Sequence, residues 1–207
     1  MNERRHPMSD ADRKWMRRNG ITFPHNWKEM PPRSGSTGYI VDILLYEFFG
    51  ITDLDFSHFD GLQILDIGAG SHLNRAQAQP TFARTCAGNG ARVVVTDILP
   101  QSEPDARLFD GVVTGDLITP VLQGRFAQLP EFAGRTFDII HSSGLINFIP
   151  DPMFSNTLDA LGIKEDSFAR LLTEQAGSML VKNGVMYLGG YLYRKIDNEL
   201  KLTKSFD

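Results

Sequence analysis

Five apolar runs of six residues each punctuate the chain: LQILDI at 62–67, RVVVTD at 92–97, GVVTGD at 111–116, FDIIHS at 137–142 and VMYLGG at 185–190. Helix-sized stretches separate them. Strands buried on both faces read as unbroken apolar runs, and parallel neighbours need long crossovers. The rhythm therefore predicts an α/β fold: a doubly wound, mostly parallel sheet covered by helices on both faces. The clearest helix spans 166–181. Phe168, Leu171, Leu172, Gln175, Ala176, Met179 and Leu180 recur there at helical spacing, and Asn183-Gly184 supplies the stop.

The flanks carry different patterns. Ser9 with Asp12 fits a capping box for a short helix over 10–18, closed by Asn19-Gly20. Residues 21–37 hold three prolines and read as a surface loop. A second helix is expected over 38–49, with Ile40, Ile43, Leu44 and Phe48 on one stripe and Gly50 at its end. The expected organisation is a single domain over 1–207: an N-terminal helical cap at 1–50, an α/β core at 60–190, and an edge strand or tail at 191–207.

Composition narrows the partners. A chain of 207 residues supports one sizeable core. The formal net charge of −4 makes a nucleic-acid partner unfavoured, and the basic patch from Arg4 to Arg18 is short. Cys86 is the only cysteine and reads as a small buried hydrophobe on a helix packed to the sheet. No secretory leader and no membrane-length apolar run is visible, so a cytoplasmic protein is expected. His6, His25, His58, His72 and His141 show no metal-ligand spacing, so no metal is expected. No pattern specifies an oligomer.

The chemistry gathers at strand ends. Asp66, Asp97, Asp116 and His141 each fall at or near the carboxyl end of an expected strand, where a doubly wound sheet opens its ligand crevice. Gly68 and Gly70 follow Asp66 and allow a sharp turn and close approach of a ligand to the backbone. A plain tight turn would use the same residues. The dinucleotide fingerprint would place a third glycine where Leu73 stands, and Asp66 would repel a pyrophosphate. A cationic, phosphate-free ligand suits the turn better. Asp97 could accept both hydroxyls of a ribose, or cap a helix. Asp116 could accept from an adenine amine while Leu117 packs on the ring, or it could form a turn with Gly115. Together these features describe an adenosine carrying a short charged amino-acid tail, which is S-adenosylmethionine.

With those residues in view, the chain resembles the class I SAM-dependent methyltransferase family, which has a Rossmann-like fold. LQILDIGAG is similar to its first motif, TDILP to its ribose-binding acid, GDL to its adenine-side acid, and FDIIHSSGLINFI to its fourth strand and exit loop. LLTEQAGSMLVKNGVMYLGG is similar to its long helix, turn and fifth strand, so the likeness runs over 62–190. The resemblance implies that Asp66, Gly68 and Gly70 line the methionine part of the cofactor. Asp97 would hold the ribose with Ile98 beside it, and Asp116 and Leu117 would flank adenine. His141 and Ser142 would sit beneath the methionine part. The departures are His72 at the third glycine position of the first motif, a gap of 31 residues from Asp66 to Asp97, and a short C-terminus that implies an abbreviated edge.

The implied activity is methyl transfer to a small-molecule substrate. The loop at 147–166 and the segment at 9–49, rich in aromatics and prolines, would cover the substrate. His72 or His141 would serve as a base, and Tyr39 would offer its ring to the sulfonium, with Trp27 behind it. Two alternatives stand beside it. The enzyme could consume the cofactor itself by intramolecular cyclisation or lysis, releasing methylthioadenosine. The chain could also be a non-catalytic SAM-binding or partner subunit.

Overall fold

The computed structural model describes residues 56–71, 80–142 and 152–205. The expected helices over 10–18 and 38–49, and the N-terminal cap they would form, lie outside the described residues, as do residues 143–151 after the fourth strand; the rest of the expected loop at 147–166 is largely helical, with one helix over Pro152–Ala160 and another starting at Glu165.

Strands β1 (Gln63–Ile67), β2 (Arg92–Asp97), β3 (Gly111–Thr114), β4 (Phe137–Ser142), β5 (Leu180–Leu188), β6 (Tyr191–Ile196) and β7 (Glu199–Ser205) form one sheet. Its order is β3-β2-β1-β4-β5-β6-β7. The first five strands pair in parallel, and β6 and β7 add antiparallel. This is the open, doubly wound, Rossmann-like arrangement the apolar rhythm predicts. The strand order turns back between β1 and β4, and the crevice of such a sheet opens at that switch point.

Successive strand residues face opposite sides, so each strand feeds two cores. On one face Ile64, Val93, Val95, Ile139, Val185 and Tyr187 pack beneath α1 (Thr81–Gly88), with Leu108 of α2 (Glu103–Leu108) at the margin. On the other face Leu65, Ile67, Val94, Ile140 and Met186 meet α3 (Ile118–Leu122), α4 (Pro152–Ala160) and α5 (Glu165–Ser178). Phe168, Leu172 and Ala176 carry the buried stripe of α5, as their spacing predicts. Gln175, on the same side, accepts from Phe126 N at 2.9 Å and donates to Val121 O at 2.7 Å. It ties α5 to the segment after β3 by accepting from Phe126 N and giving Val121 O a second donor beside Gly124 N.

A buried ion pair joins α1 to α2. Arg84 grips Asp105 with two bonds of 2.6 and 2.7 Å, and the two residues are only 8% and 2% exposed. Asp105 is also part of the N-terminal cap of α2: Ser102 Oγ accepts from Asp105 N at 3.2 Å and donates to its carboxylate at 2.6 Å.

Three expectations need correction. The long helix stops at Ser178, not 181, and β5 begins at Leu180. Asn183-Gly184 does make a turn-like kink, with Asn183 at φ 64°, but the kink lies inside β5. The β4–β5 ladder pairs Phe137 with Leu180, then resumes at Ile139 with Val185, so the intervening residues bulge out. A Cβ on Gly184 would come within 3.0 Å of Asp138 O, which is why a glycine stands there. Next, β3 ends at Thr114 rather than 116, because Gly115, at φ 131°, leaves the strand. Finally, the C-terminal edge is abbreviated in its connections and not in its strands. Gly189-Gly190 and Asp197-Asn198, all at positive φ, turn the chain in two residues each, the geometry of hairpin turns that match sheet twist.

Candidate functional site

The turn after β1 is built by its neighbour β2. Gly68 and Gly70 sit at φ 67° and 88°, a region that residues with a Cβ avoid. The amides of the turn find their partners on β2 or its exit. Gly68 N donates to Thr96 Oγ1 at 3.2 Å, Ala69 N to Thr96 O at 3.0 Å, and Gly70 N to Asp97 Oδ2 at 2.8 Å. The loop beyond Asp97 closes the bracket: Gln101 Nε2 donates to Gly70 O at 2.7 Å and Ser71 Oγ to Pro100 O at 2.6 Å. A phosphate-binding turn keeps such amides free for the anion. Here they are committed inside the protein, so the turn is no phosphate cradle.

Asp97 is the centre of this bracket. Its Oδ1 accepts from Leu99 N at 2.9 Å while Oδ2 holds Gly70. A carboxylate offers about four lone-pair positions. Two are taken, which fixes the side chain and leaves acceptor capacity at the crevice edge. Ile98 beside it is 58% exposed, a large apolar surface at the same edge.

Asp66 and His141 form the second feature. They are cross-strand neighbours in the β1–β4 register, directly at the switch point. Both stand on the face under α1, because Ile64 and Ile139, two residues earlier, face that way. His141 Nδ1 lies 2.6 Å from Asp66 Oδ1, with the residues 3% and 1% exposed. An ionised carboxylate accepts only, so Nδ1 is the donor in this pair, and in the neutral form of the ring Nε2 is the acceptor. Phe82 of α1 covers one side of the imidazole, with centroids 3.9 Å apart. Tyr187, its register partner on β5, stacks at 5.9 Å and 15°. His141 Nε2 has no hydrogen-bond partner among the described residues, nor has the buried Oγ of Ser142 or the Oε1 of Gln101. They stand toward the exits of β2 and β4, with Ser142 on the opposite face of the sheet from His141. Native interiors rarely leave such atoms unpaired without a reason.

The other candidates are placed as follows. Asp116 is exposed and caps α3, accepting from Ile118 N at 2.7 Å, Thr119 N at 3.3 Å and Thr119 Oγ1 at 2.6 Å. Leu117 is 7% exposed and packs in the core of that face. Ser142 ends β4 and its carbonyl accepts from Gly189 N at 3.0 Å. His72 and Tyr39 lie outside the described residues. Thr96, Gln101, Phe82 and Tyr187 escaped the sequence reading. The strand parity of Ile64/Asp66 and Ile139/His141 was the available signal for the dyad, whereas the bracket around Gly70 involves loop residues with no periodic mark.

Cys86 lies on α1, fully buried, and both that burial and the Asp66 charge push its thiol well above the ordinary range. The thiol is therefore expected to resist iodoacetamide in the native protein and to react fully in guanidinium. Intact mass before and after denaturation checks this; native alkylation at the rate of a free thiol would contradict the packing of α1.

Among the described residues, no group of three or more His, Cys, Asp or Glu side chains could hold a metal ion, and no helix is long and apolar enough to cross a membrane. No protein-family model and no curated protein sequence matches the chain. Among solved structures, it is similar to the MycE methyltransferase from the mycinamycin biosynthetic pathway, solved with Mg and SAH, at 15% identity and a TM-score of 0.40. That match covers 70% of this chain and 35% of MycE, so the chain spans about a third of the length of that enzyme. A second MycE structure, which also holds mycinamycin VI, matches at the same identity and TM-score over 37% of its length. A hypothetical protein of Thermus thermophilus matches at 16% identity and a TM-score of 0.44, over 88% of this chain and 90% of its own.

Proposed function

We propose that this chain is a SAM-dependent methyltransferase acting on a small molecule. The observation that carries the reading is the bracket at the β1 and β2 exits. It joins a glycine turn whose amides at 68, 69 and 70 are all taken within the protein to a carboxylate anchored at the crevice edge. The residues present fit S-adenosylmethionine: Asp97 keeps acceptor capacity for the ribose hydroxyls, and Ile98 offers an apolar face for the adenine. The missing Cβ atoms of Gly68 and Gly70 let an amino-acid tail lie over the backbone. Asp116, with three bonds already accepted, retains room for one donor from the adenine edge. Leu117 would contribute only the small part of its surface outside the core.

When bound, the cofactor supplies an electrophilic methyl carbon on a sulfonium. The chain's part is then to bind, to align the nucleophile with that carbon, and to keep water out.

The test is to incubate purified protein with SAM alone and follow nucleosides by mass spectrometry against an enzyme-free control. The proposal expects SAM to bind and stay intact until an acceptor is added, when SAH appears. Enzyme-dependent methylthioadenosine without acceptor would instead establish cyclisation or lysis. Failure of SAM and SAH to bind would leave the chain as a partner subunit on this fold.

A further inference from the structure

We propose that Asp66 is a positioning residue for His141, and that His141 Nε2 takes the proton of the acceptor, which makes the substrate a hydrogen-bond donor such as a hydroxyl or phenol. The inference rests on the methyltransferase reading for its chemistry, but its geometry stands apart from it.

The placement explains why the pair exists. Asp66 on β1 and His141 on β4 are register partners across the switch point, with 2.6 Å between Oδ1 and Nδ1. Phe82 and Tyr187 both pack against the imidazole. With Nδ1 taken, Nε2 is the ring's remaining polar contact. It is buried and has no partner among the described residues. A buried acceptor left unpaired costs about 1–3 kcal/mol. Apolar residues at both 66 and 141 would avoid that cost. A protic substrate group at the β4 exit would remove it.

Asp66 then acts through His141 rather than on the cofactor. Its carboxylate holds the proton on Nδ1, so that Nε2 is always the acceptor. In the transfer step the substrate oxygen forms a bond to the methyl carbon as the carbon–sulfur bond breaks, its electron pair remaining on sulfur. The oxygen's proton passes to Nε2, leaving an imidazolium beside the Asp66 carboxylate. Atoms and charge balance without a further reactant. A substrate lacking a proton on its nucleophile would leave Nε2 orphaned and is disfavoured.

The test is nitrogen-15 NMR of histidine-labelled protein, with His141→Asn assigning the resonance. In the wild type, Nδ1 is expected to carry the proton and Nε2 to appear as a bare acceptor. In Asp66→Asn, whose amide can donate to Nδ1, the tautomer is expected to invert. Phenol added with SAH at saturation is expected to move the Nε2 resonance, and anisole, which has no hydroxyl proton, is not. Phenol should lose this effect in Asp66→Asn, while SAH affinity stays within about twofold, because the proposal gives the Asp66 carboxylate to His141 in place of the cofactor. An Nε2 resonance untouched by phenol in the wild type would overturn the proposal and leave a structural pair. So would a loss of SAH affinity above about tenfold in Asp66→Asn with the His141 resonances unmoved. If Asp66→Asn fails to fold, the wild-type comparison of phenol with anisole still decides. If SAH does not bind the wild type, the methyltransferase reading fails, while the tautomer and the phenol response, measured without SAH, still judge the dyad.

Discussion

Asp97→Ala is expected to lose SAH affinity on the order of 100-fold, with Asp97→Asn losing about tenfold. Two charge-assisted hydrogen bonds to a ribose contribute about 1.5–3 kcal/mol each, and 1.4 kcal/mol is a factor of ten in binding. Asparagine keeps one acceptor and the shape, so it should fall between. The same carboxylate holds Gly70 N and Leu99 N, so the alanine variant also loosens the glycine turn. Its melting temperature separates the two effects. Calorimetric titration with SAH gives the affinity, and circular dichroism gives the stability. Unchanged affinity in a folded Asp97→Ala protein would remove the ribose assignment and with it the strongest support for the cofactor.

Arg84→Leu should unfold the protein more readily than any change at the crevice. The substitution leaves the Asp105 carboxylate buried beside Ser102 with its guanidinium gone. Breaking a buried pair from one side costs about 3–5 kcal/mol. For a domain of this length each kcal/mol lowers the melting temperature by about 2–4 °C, so a fall on the order of 10 °C is expected. Replacing both partners by apolar residues should recover much of it, because neither charge is then stranded. A single variant that melts within about 2 °C of wild type would show that the pair contributes little to holding α1 against α2.

The strands were legible because burial on both faces writes an unbroken apolar run. β2 and β4 occupy the ranges their runs predict, and β1 differs by one residue. β5 was half legible. Its second part reads as VMYLGG, but Leu180 to Asn183 read as the end of a helix, since Met179 and Leu180 continue the helical spacing. Only pairing with Phe137 on β4 draws Leu180 into the sheet, and the Asn183-Gly184 kink is absorbed there as a bulge. Asp116 shows the same limit at a site. A Gly-Asp pair after a strand suits a ligand and a cap equally, and its three bonds to residues 118 and 119 depend on α3 forming.

The sequence by itself determined the fold class, the strands that carry acids, and the edge of the sheet where chemistry can gather. Those are local facts, written in hydrophobic period and in residue type at strand ends. The tertiary structure decided which acids face which partners. Asp66 and His141 are 75 residues apart, and no local preference joins them. Parallel register across the switch point sets them side by side under Phe82, just as register beside β2 places Asp97 beneath Gly70. Hydrogen bonds between strands fix that register, and it is a property of the assembled sheet rather than of any one segment.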